Sequence, residues 1–170
     1  PVFIFDKDIL DKLPDPADRR VDFIHRQLER LNKELVALGS SLLVEYGRPA
    51  EVWKRLIKEH PVKMVFTNHD YEPYAIHRDR SLGEVFAASG IDFRTFKDQV
   101  IFEKSEVLSQ TGGVFSVFTP YKNAWLKKIE PFYVKPYPVE KYAAHLAPIP
   151  PAVCPSGQDH VPTLGDIGFD

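Results

Sequence analysis

The sequence has 170 residues, with 22 lysines and arginines against 24 aspartates and glutamates, and its formal net charge is −2. A chain of this charge lacks the broad positive field of proteins that clamp DNA nonspecifically. The one cysteine, Cys154, excludes an intrachain disulfide and a zinc site built on several thiolates, and no apolar stretch approaches the ~20 residues of a membrane-spanning helix. We therefore expect a cytoplasmic protein with no secretion signal and no membrane partner.

Strands and helices are predicted to alternate over the first hundred residues. Residues 1–5 are apolar on both faces, as in a buried parallel strand, and further strands are predicted at 41–46, 62–67 and 91–96. Asp15-Pro16 is expected to begin a long helix, whose apolar residues recur at spacings of three and four. They are Val21, Ile24, Leu28, Leu31, Leu35 and Leu38. With shorter helices after Gly47 and after Glu72, the pattern indicates an α/β, Rossmann-like layered domain with a mainly parallel sheet flanked by helices.

The alternation stops near residue 102. We predict helices over 103–110 and 121–129, with a short extended piece at 114–119 between them. Nine of the fifteen prolines lie from Pro120 onward, and they exclude long regular elements near the end of the chain. The predicted organisation is a domain over residues 1–130 and an extended connector over 131–170 that lies on the domain surface.

Polar clusters follow the first and third predicted strands, at residues 6–8 and 68–72. Open parallel sheets bind ligands at the carboxyl ends of their strands, so the two clusters are expected to flank one crevice. One interpretation is structural, with the acids and Asn68 capping helices and filling turns. The alternative is a ligand pocket with three acceptors and a stacking ring, namely Asp6, Asp70, Glu72 and either Tyr71 or Tyr74.

Recognisable catalytic motifs are missing from the sequence. No glycine-rich phosphate loop, G-x-S-x-G elbow or H-E-x-x-H pair occurs, and the six histidines are scattered. Most histidines are expected at the surface, and only His69 lies near the crevice. We therefore predict no catalytic residue and no metal site in this chain.

Asp79 is expected beside the buried stripe of its helix, where an acid needs a partner. Arg78 and Arg80 are adjacent in sequence but are expected to point elsewhere on the helix. An ion pair with a basic residue from another element is therefore predicted.

Four segments resemble the N-terminal domain of the photolyase/cryptochrome family. Residues 1–6, PVFIFD, resemble its second strand, and residues 68–74, NHDYEPY, followed by Arg78-Asp79, resemble its helix-opening motif. Residues 115–125, FSVFTPYKNAW, are similar to the segment that closes the domain in bacterial photolyases. Residues 162–169, PTLGDIGF, resemble the linker before the helical FAD domain. On these motifs the chain is identified as a member of the family.

The resemblance implies an antenna domain, in which a chromophore passes excitation to FAD in a following helical domain that splits pyrimidine dimers in DNA. The implied antenna residues are Phe5, Asp6, Asp70, Glu72 and Tyr74. Members that use folate carry an Asn-Glu pair where this chain has Tyr74 and Ala75. That difference speaks against folate, although the resemblance leaves folate, a deazaflavin and FMN all possible.

The family domain begins with another strand and helix before the segment matched by residues 1–6, so the resemblance implies a fragment truncated at both ends. The fragment is expected to be non-catalytic, because FAD and DNA bind to the helical domain. In the family strand order 3-2-1-4-5, strands 41–46 and 1–5 form one half and strands 62–67 and 91–96 the other. The place of the missing strand between the two halves would be filled by upstream residues, by another chain in a non-native oligomer, or by a displaced segment such as 114–118.

Two other functions remain open at the level of sequence. The parent protein could be a cryptochrome that signals through a partner protein in blue light. The chain could also be a free-standing small α/β protein that binds a nucleotide-like ligand near Asp6 and Asp70, although the missing phosphate loops argue against it.

Overall fold

The computed structural model describes residues 1–148 and 161–170, which form two compact units. The first, here called the split unit, comprises Pro1–Val62 and Val139–Asp170, and the second, the continuous unit, comprises Lys63–Pro138. Cys154 and the middle of the predicted connector lie outside the described residues. Within the described ranges, no helix has the length and apolar character needed to span a bilayer.

Parallel strands and helices alternate along the chain, which confirms the predicted α/β class. The strands are β1 (Val2–Asp6), β2 (Leu43–Gly47), β3 (Met64–Asn68) and β4 (Asp92–Phe96). The helices are α1 (Lys7–Leu10), α2 (Arg19–Ala37), α3 (Pro49–Glu59), α4 (Pro73–Ala88) and α5 (Phe118–Lys128). Short 3₁₀ turns occur at Lys104–Glu106, Pro131–Val134, Val139–His145 and Gly165–Ile167.

The four strands form two separate parallel pairs. β1 pairs with β2 from Val2 opposite Leu43, and β3 pairs with β4 from Met64 opposite Asp92. These pairs are the two half-sheets that the family resemblance implies. In the described ranges β1 and β3 have one strand neighbour each, so each has an open edge. The suggestion that residues 114–118 fill such an edge is wrong, because this segment contains no strand and its last residue begins α5.

Helix α2 begins three residues later than Asp15-Pro16 predicts. Asp18 is its N-cap, and the Asp18 side chain accepts a hydrogen bond from the backbone N–H of Arg20 at 2.9 Å. Asp15 forms a similar bond with the N–H of Ala17 at 2.9 Å in the preceding turn. Both aspartates therefore satisfy free backbone N–H groups, but only the second is followed by helical residues.

The buried face of α2 contains two polar residues that the apolar pattern did not indicate. Its buried residues are Val21, His25, Leu28, Asn32 and Leu35, whereas Ile24, Leu31 and Leu38 are exposed. His25 Nε2 donates to the carbonyl of Pro162 at 2.7 Å, and Asn32 Oδ1 accepts from the N–H of Leu42 at 2.9 Å. These bonds offset the cost of burying polar groups. The predicted apolar stripe is therefore corrected, and His25 is an exception to the expectation that most histidines lie at the surface.

The end of the chain supplies part of the core of the split unit. Val161, Ile167 and Phe169 are buried in one cluster with Phe5 and Leu28. The N–H of Asp170 also donates to the carbonyl of Pro16 at 2.8 Å. Placing these three side chains on the surface as part of a connector was therefore wrong, while the boundary between residues 130 and 131 stays a prediction.

The continuous unit has its own core, in which Phe86 packs at 5.1 Å between ring centroids against Phe93. The helix predicted over 103–110 is wrong, since only Lys104–Glu106 forms a 3₁₀ turn. The chain turns soon after this 3₁₀ turn, where the N–H of Ser109 donates to the carbonyl of Gly113 at 2.9 Å. Helix α5 is confirmed but begins at Phe118, because a proline such as Pro120 is tolerated in the first turn.

Candidate functional site

Phe5 and Asp6 lie at the carboxyl end of β1 in the split unit. The Phe5 ring is buried and meets Phe3 edge to face, with 5.0 Å between the ring centroids. Asp6 is also buried, and its Oδ1 accepts from the N–H of Asp8 at 3.0 Å at the start of α1. The capping role that the sequence offered for Asp6 is thus present in the structure.

Asp70, Glu72 and Tyr74 lie between β3 and the first turn of α4, in the continuous unit. Oδ1 of Asp70 accepts from the N–H of Glu72 at 3.0 Å, and Glu72 is the N-cap residue before Pro73. The Glu72 side chain is exposed and makes no hydrogen bond or ion pair with any described residue. Tyr74 is half-buried in the first turn of α4, so this short segment carries both an exposed carboxylate and an aromatic side chain.

The five residues implied as the antenna site divide between the two units. Asp70, Glu72 and Tyr74 come together on one loop because Glu72-Pro73 opens α4 where the sequence predicted. Phe5 and Asp6 belong to the split unit. The complete five-residue site stays a prediction.

A hydrogen-bonded cluster that the sequence did not indicate holds the loop after β3. Glu103 Oε2 lies 3.1 Å from His69 Nδ1 and accepts from the Tyr71 hydroxyl at 2.6 Å. His69 Nε2 lies 2.8 Å from Thr95 Oγ1. Because an ionised carboxylate only accepts, His69 donates to Glu103 from Nδ1. His69 is therefore a positioning residue for the loop that carries Asp70 and Glu72.

Two ionisation equilibria in this cluster are shifted. The hydrogen bond to the Glu103 carboxylate, helped by burial and by its negative charge, raises the pKa of Tyr71 to about 12. The bonds donated by Tyr71 and by His69 lower the pKa of Glu103. The neutral tyrosine and the charged carboxylate are thus the favoured partners, which keeps the loop connected to Glu103 at neutral pH.

Glu103 is itself held by a small ion-paired turn. Glu106 accepts from the backbone N–H of Glu103 at 2.6 Å and from Lys97 Nζ at 2.7 Å. The hydrogen bond from Lys97 lowers the pKa of Glu106. Lys97 also lies 5.6 Å from the centroid of the Phe102 ring. No local sequence signal could have identified Glu103 as a partner of this loop, because Glu103 is more than thirty residues away from His69 and Tyr71 in the sequence.

Asp79 pairs with its sequence neighbour, contrary to expectation. Arg78 Nε donates to Asp79 Oδ1 at 2.8 Å, and both side chains are largely shielded from solvent. Adjacent Cβ atoms do diverge on a helix, but the long arginine side chain can fold back across that angle. The prediction of a partner from another element was wrong.

The DNA photolyase family model matches residues 1–142, which is most of the chain. The chain belongs to the DNA photolyase family. Among curated relatives, the deoxyribodipyrimidine photo-lyase of Synechococcus sp. is 30% identical over 99% of this chain, and cryptochrome-1 of Spalax judaei is 28% identical over 87%. Family membership confirms the resemblance seen in the sequence motifs.

This photolyase-family chain spans only part of those relatives, 34% of the Synechococcus protein and 25% of the Spalax cryptochrome. Its structure also resembles that of an archaeal photolyase from Sulfolobus tokodaii. The two share 30% sequence identity with a TM-score of 0.62, and the match covers 76% of this chain and 28% of the archaeal one. That structure was solved with two FAD molecules and implicates a novel light-harvesting cofactor in the archaeal protein.

Proposed function

We propose that the chain is the antenna-chromophore domain of a photolyase-like flavoprotein whose full-length form uses light to split pyrimidine dimers in DNA. The family match over residues 1–142 carries this proposal. FAD and the DNA-binding surface would belong to a helical domain outside this chain. The net charge of −2 supports that division, because a duplex-binding surface needs a positive field.

We propose further that residues 1–130 form the antenna domain and that 131–170 lead toward the helical domain. The antenna chromophore would supply excitation energy, and this chain would bind and orient that chromophore. In this proposal Asp70 and Glu72 accept hydrogen bonds from the chromophore, and Tyr74 contacts its ring. The family resemblance alone adds Phe5 and Asp6 of the split unit to this set.

The loop after β3 fits such a group in its chemistry. Glu72 offers a carboxylate that has no partner among the described residues, and Tyr74 supplies an aromatic ring two residues later. The bonds among His69, Tyr71 and Glu103 hold the loop before any ligand binds, which reduces the entropy lost on binding. Ala75 stands where the family resemblance places the glutamate of folate-using members, and its buried side chain has no hydrogen-bonding group. This difference favours a deazaflavin or FMN over folate.

Titration of the chain with FMN, a deazaflavin and a reduced folate tests the site. We expect the fluorescence of FMN and of the deazaflavin to be quenched when they bind the chain, and that of the folate to stay unchanged. Glu72→Ala or Tyr74→Ala should weaken the binding of the flavin-type ligands. Glu84→Ala, an exposed substitution further along α4, is the matched control. Tight folate binding that neither site variant changes would contradict the proposed pocket.

The proposal that this chain is non-catalytic can be tested on the isolated chain. We expect the purified chain to repair no dimers under blue light, with or without a bound antenna chromophore. Repair above a control without protein would contradict a non-catalytic antenna domain.

The match to cryptochrome-1 of Spalax judaei supports a second candidate, a blue-light signalling protein of the cryptochrome type. Both candidates assign the same role to this domain and differ in the helical domain. A dimer-repair assay on the full-length protein separates them, since only the photolyase candidate predicts light-dependent repair.

A further inference from the structure

A groove in the continuous unit is lined by none of the residues implied as antenna ligands. Its volume is about 760 Å³, within the range of small-molecule sites, which are commonly ~300–1,000 Å³. One wall is a face of α5, and the other is the loop that precedes this helix. The apolar lining comes from Leu108, Phe115, Pro120, Ala124 and Leu126.

The loop wall is held by its own hydrogen bonds. The N–H of Ser109 donates to the carbonyl of Gly113 at 2.9 Å, and the N–H of Gly113 donates to Ser109 Oγ at 3.1 Å. Gly112 between them has a φ of +79°, which favours glycine. Phe115 meets the Tyr121 ring edge to face, with 6.0 Å between centroids, so the aromatic wall is fixed against α5 itself.

Three polar side chains line the same groove, namely Gln110, Asn123 and Lys127. None of the three makes a hydrogen bond or ion pair with another residue in ranges 1–148 and 161–170. No residue of the lining is acidic, and the carboxylate of Glu106 is already bound by Lys97 at 2.7 Å. The groove therefore combines an apolar floor with one unneutralised positive charge and two free amide groups.

We propose that this groove binds a small molecule with a planar aromatic body and one anionic group, a carboxylate or a sulfonate. The ring system lies between Phe115 and the Pro120 side of α5. Lys127 pairs with the anion, and Asn123 and Gln110 complete its hydrogen bonds. The positive charge selects an anion over a neutral compound of the same shape. This site uses no residue of the proposed antenna pocket, so the two proposals can fail separately.

Two fluorescent probes that share their ring system test the proposal on the intact chain. They are 8-anilinonaphthalene-1-sulfonate, which carries an anion, and the neutral N-phenyl-1-naphthylamine. We expect the sulfonate to bind more tightly at a single site, and Lys127→Ala to weaken it about tenfold, as for loss of a hydrogen-bonded charge contact. The same substitution should leave the neutral probe unchanged.

Lys122→Ala is the matched control, because Lys122 is exposed on α5 and does not line the groove. Ala124→Trp should fill the groove and weaken both probes, with circular dichroism showing that the variant is folded. Equal binding of the two probes would overturn the proposal. Equal effects of the Lys127 and Lys122 substitutions on the sulfonate would overturn it as well.

Discussion

The split unit and the continuous unit contain the same building block, a pair of parallel strands with helices, but they complete their cores differently. In the continuous unit the buried residues come from one unbroken stretch of chain, as with Leu82, Phe86 and Ile91. In the split unit the core includes Ile167 and Phe169, which are more than a hundred residues from the strands they help to bury. The local sequence pattern is therefore a better guide to the core of the continuous unit than to that of the split unit.

The polar contacts differ in the same sense. The split unit buries His25 and Asn32, and both bond to backbone atoms, one of them near the end of the chain. The continuous unit places its polar cluster of His69, Tyr71 and Glu103 around an exposed loop. Buried bonds of the first kind stabilise the core, whereas the second kind shapes a loop that can bind a ligand.

The largest expected effect is that of Phe86→Ala in the continuous unit. Phe86 is fully buried, and loss of such a ring costs about 3–5 kcal/mol of unfolding free energy. Chemical denaturation should show the loss, and amide exchange should place it in β3 and β4. Phe118→Ala, at a ring 72% exposed, is the control and should change little. Equal loss of protection in β1 and β2 would break the distinction between the units.

Ile167→Ala tests whether the end of the chain holds the core of the split unit. Ile167 is 1% exposed, and truncation should cost about 2–5 kcal/mol, seen as faster amide exchange in β1 and β2. Ile24→Ala removes the same atoms from a side chain that is 39% exposed in the same unit, so a smaller loss is expected. If the two variants were equally stable, the segment after residue 160 would have no role in the core.

The smallest effect concerns the pH dependence of Tyr71. Its folded pKa, about 12, lies above its ordinary value of 10.0, so its contribution to stability is complete below pH 10 and is lost as pH rises toward 12. Tyr71→Phe should remove a tyrosinate absorbance step with a midpoint near pH 12. Tyr142→Phe is a control at an exposed tyrosine. A missing step near pH 10 in the Tyr71 variant would contradict the Glu103 bond.

Sequence alone determined the class of fold and most element positions. The apolar runs located all four strands to within two residues, and Glu72-Pro73 marked the start of α4. These signals are local, because strand burial and helix capping depend on residues a few positions apart. The family motifs were also readable, since each is a short contiguous segment.

Only the tertiary structure decided which polar groups are paired and which distant segments enter a core. The apolar period of α2 favoured Ile24 and Leu31, yet His25 and Asn32 are buried because Pro162 and Leu42 bring backbone partners to them. Glu103 likewise holds the loop of Asp70 and Glu72 from a distant turn. Such contacts join residues that are distant in sequence and close in the folded chain. A pattern of neighbouring residues carries no information about which distant segments will meet.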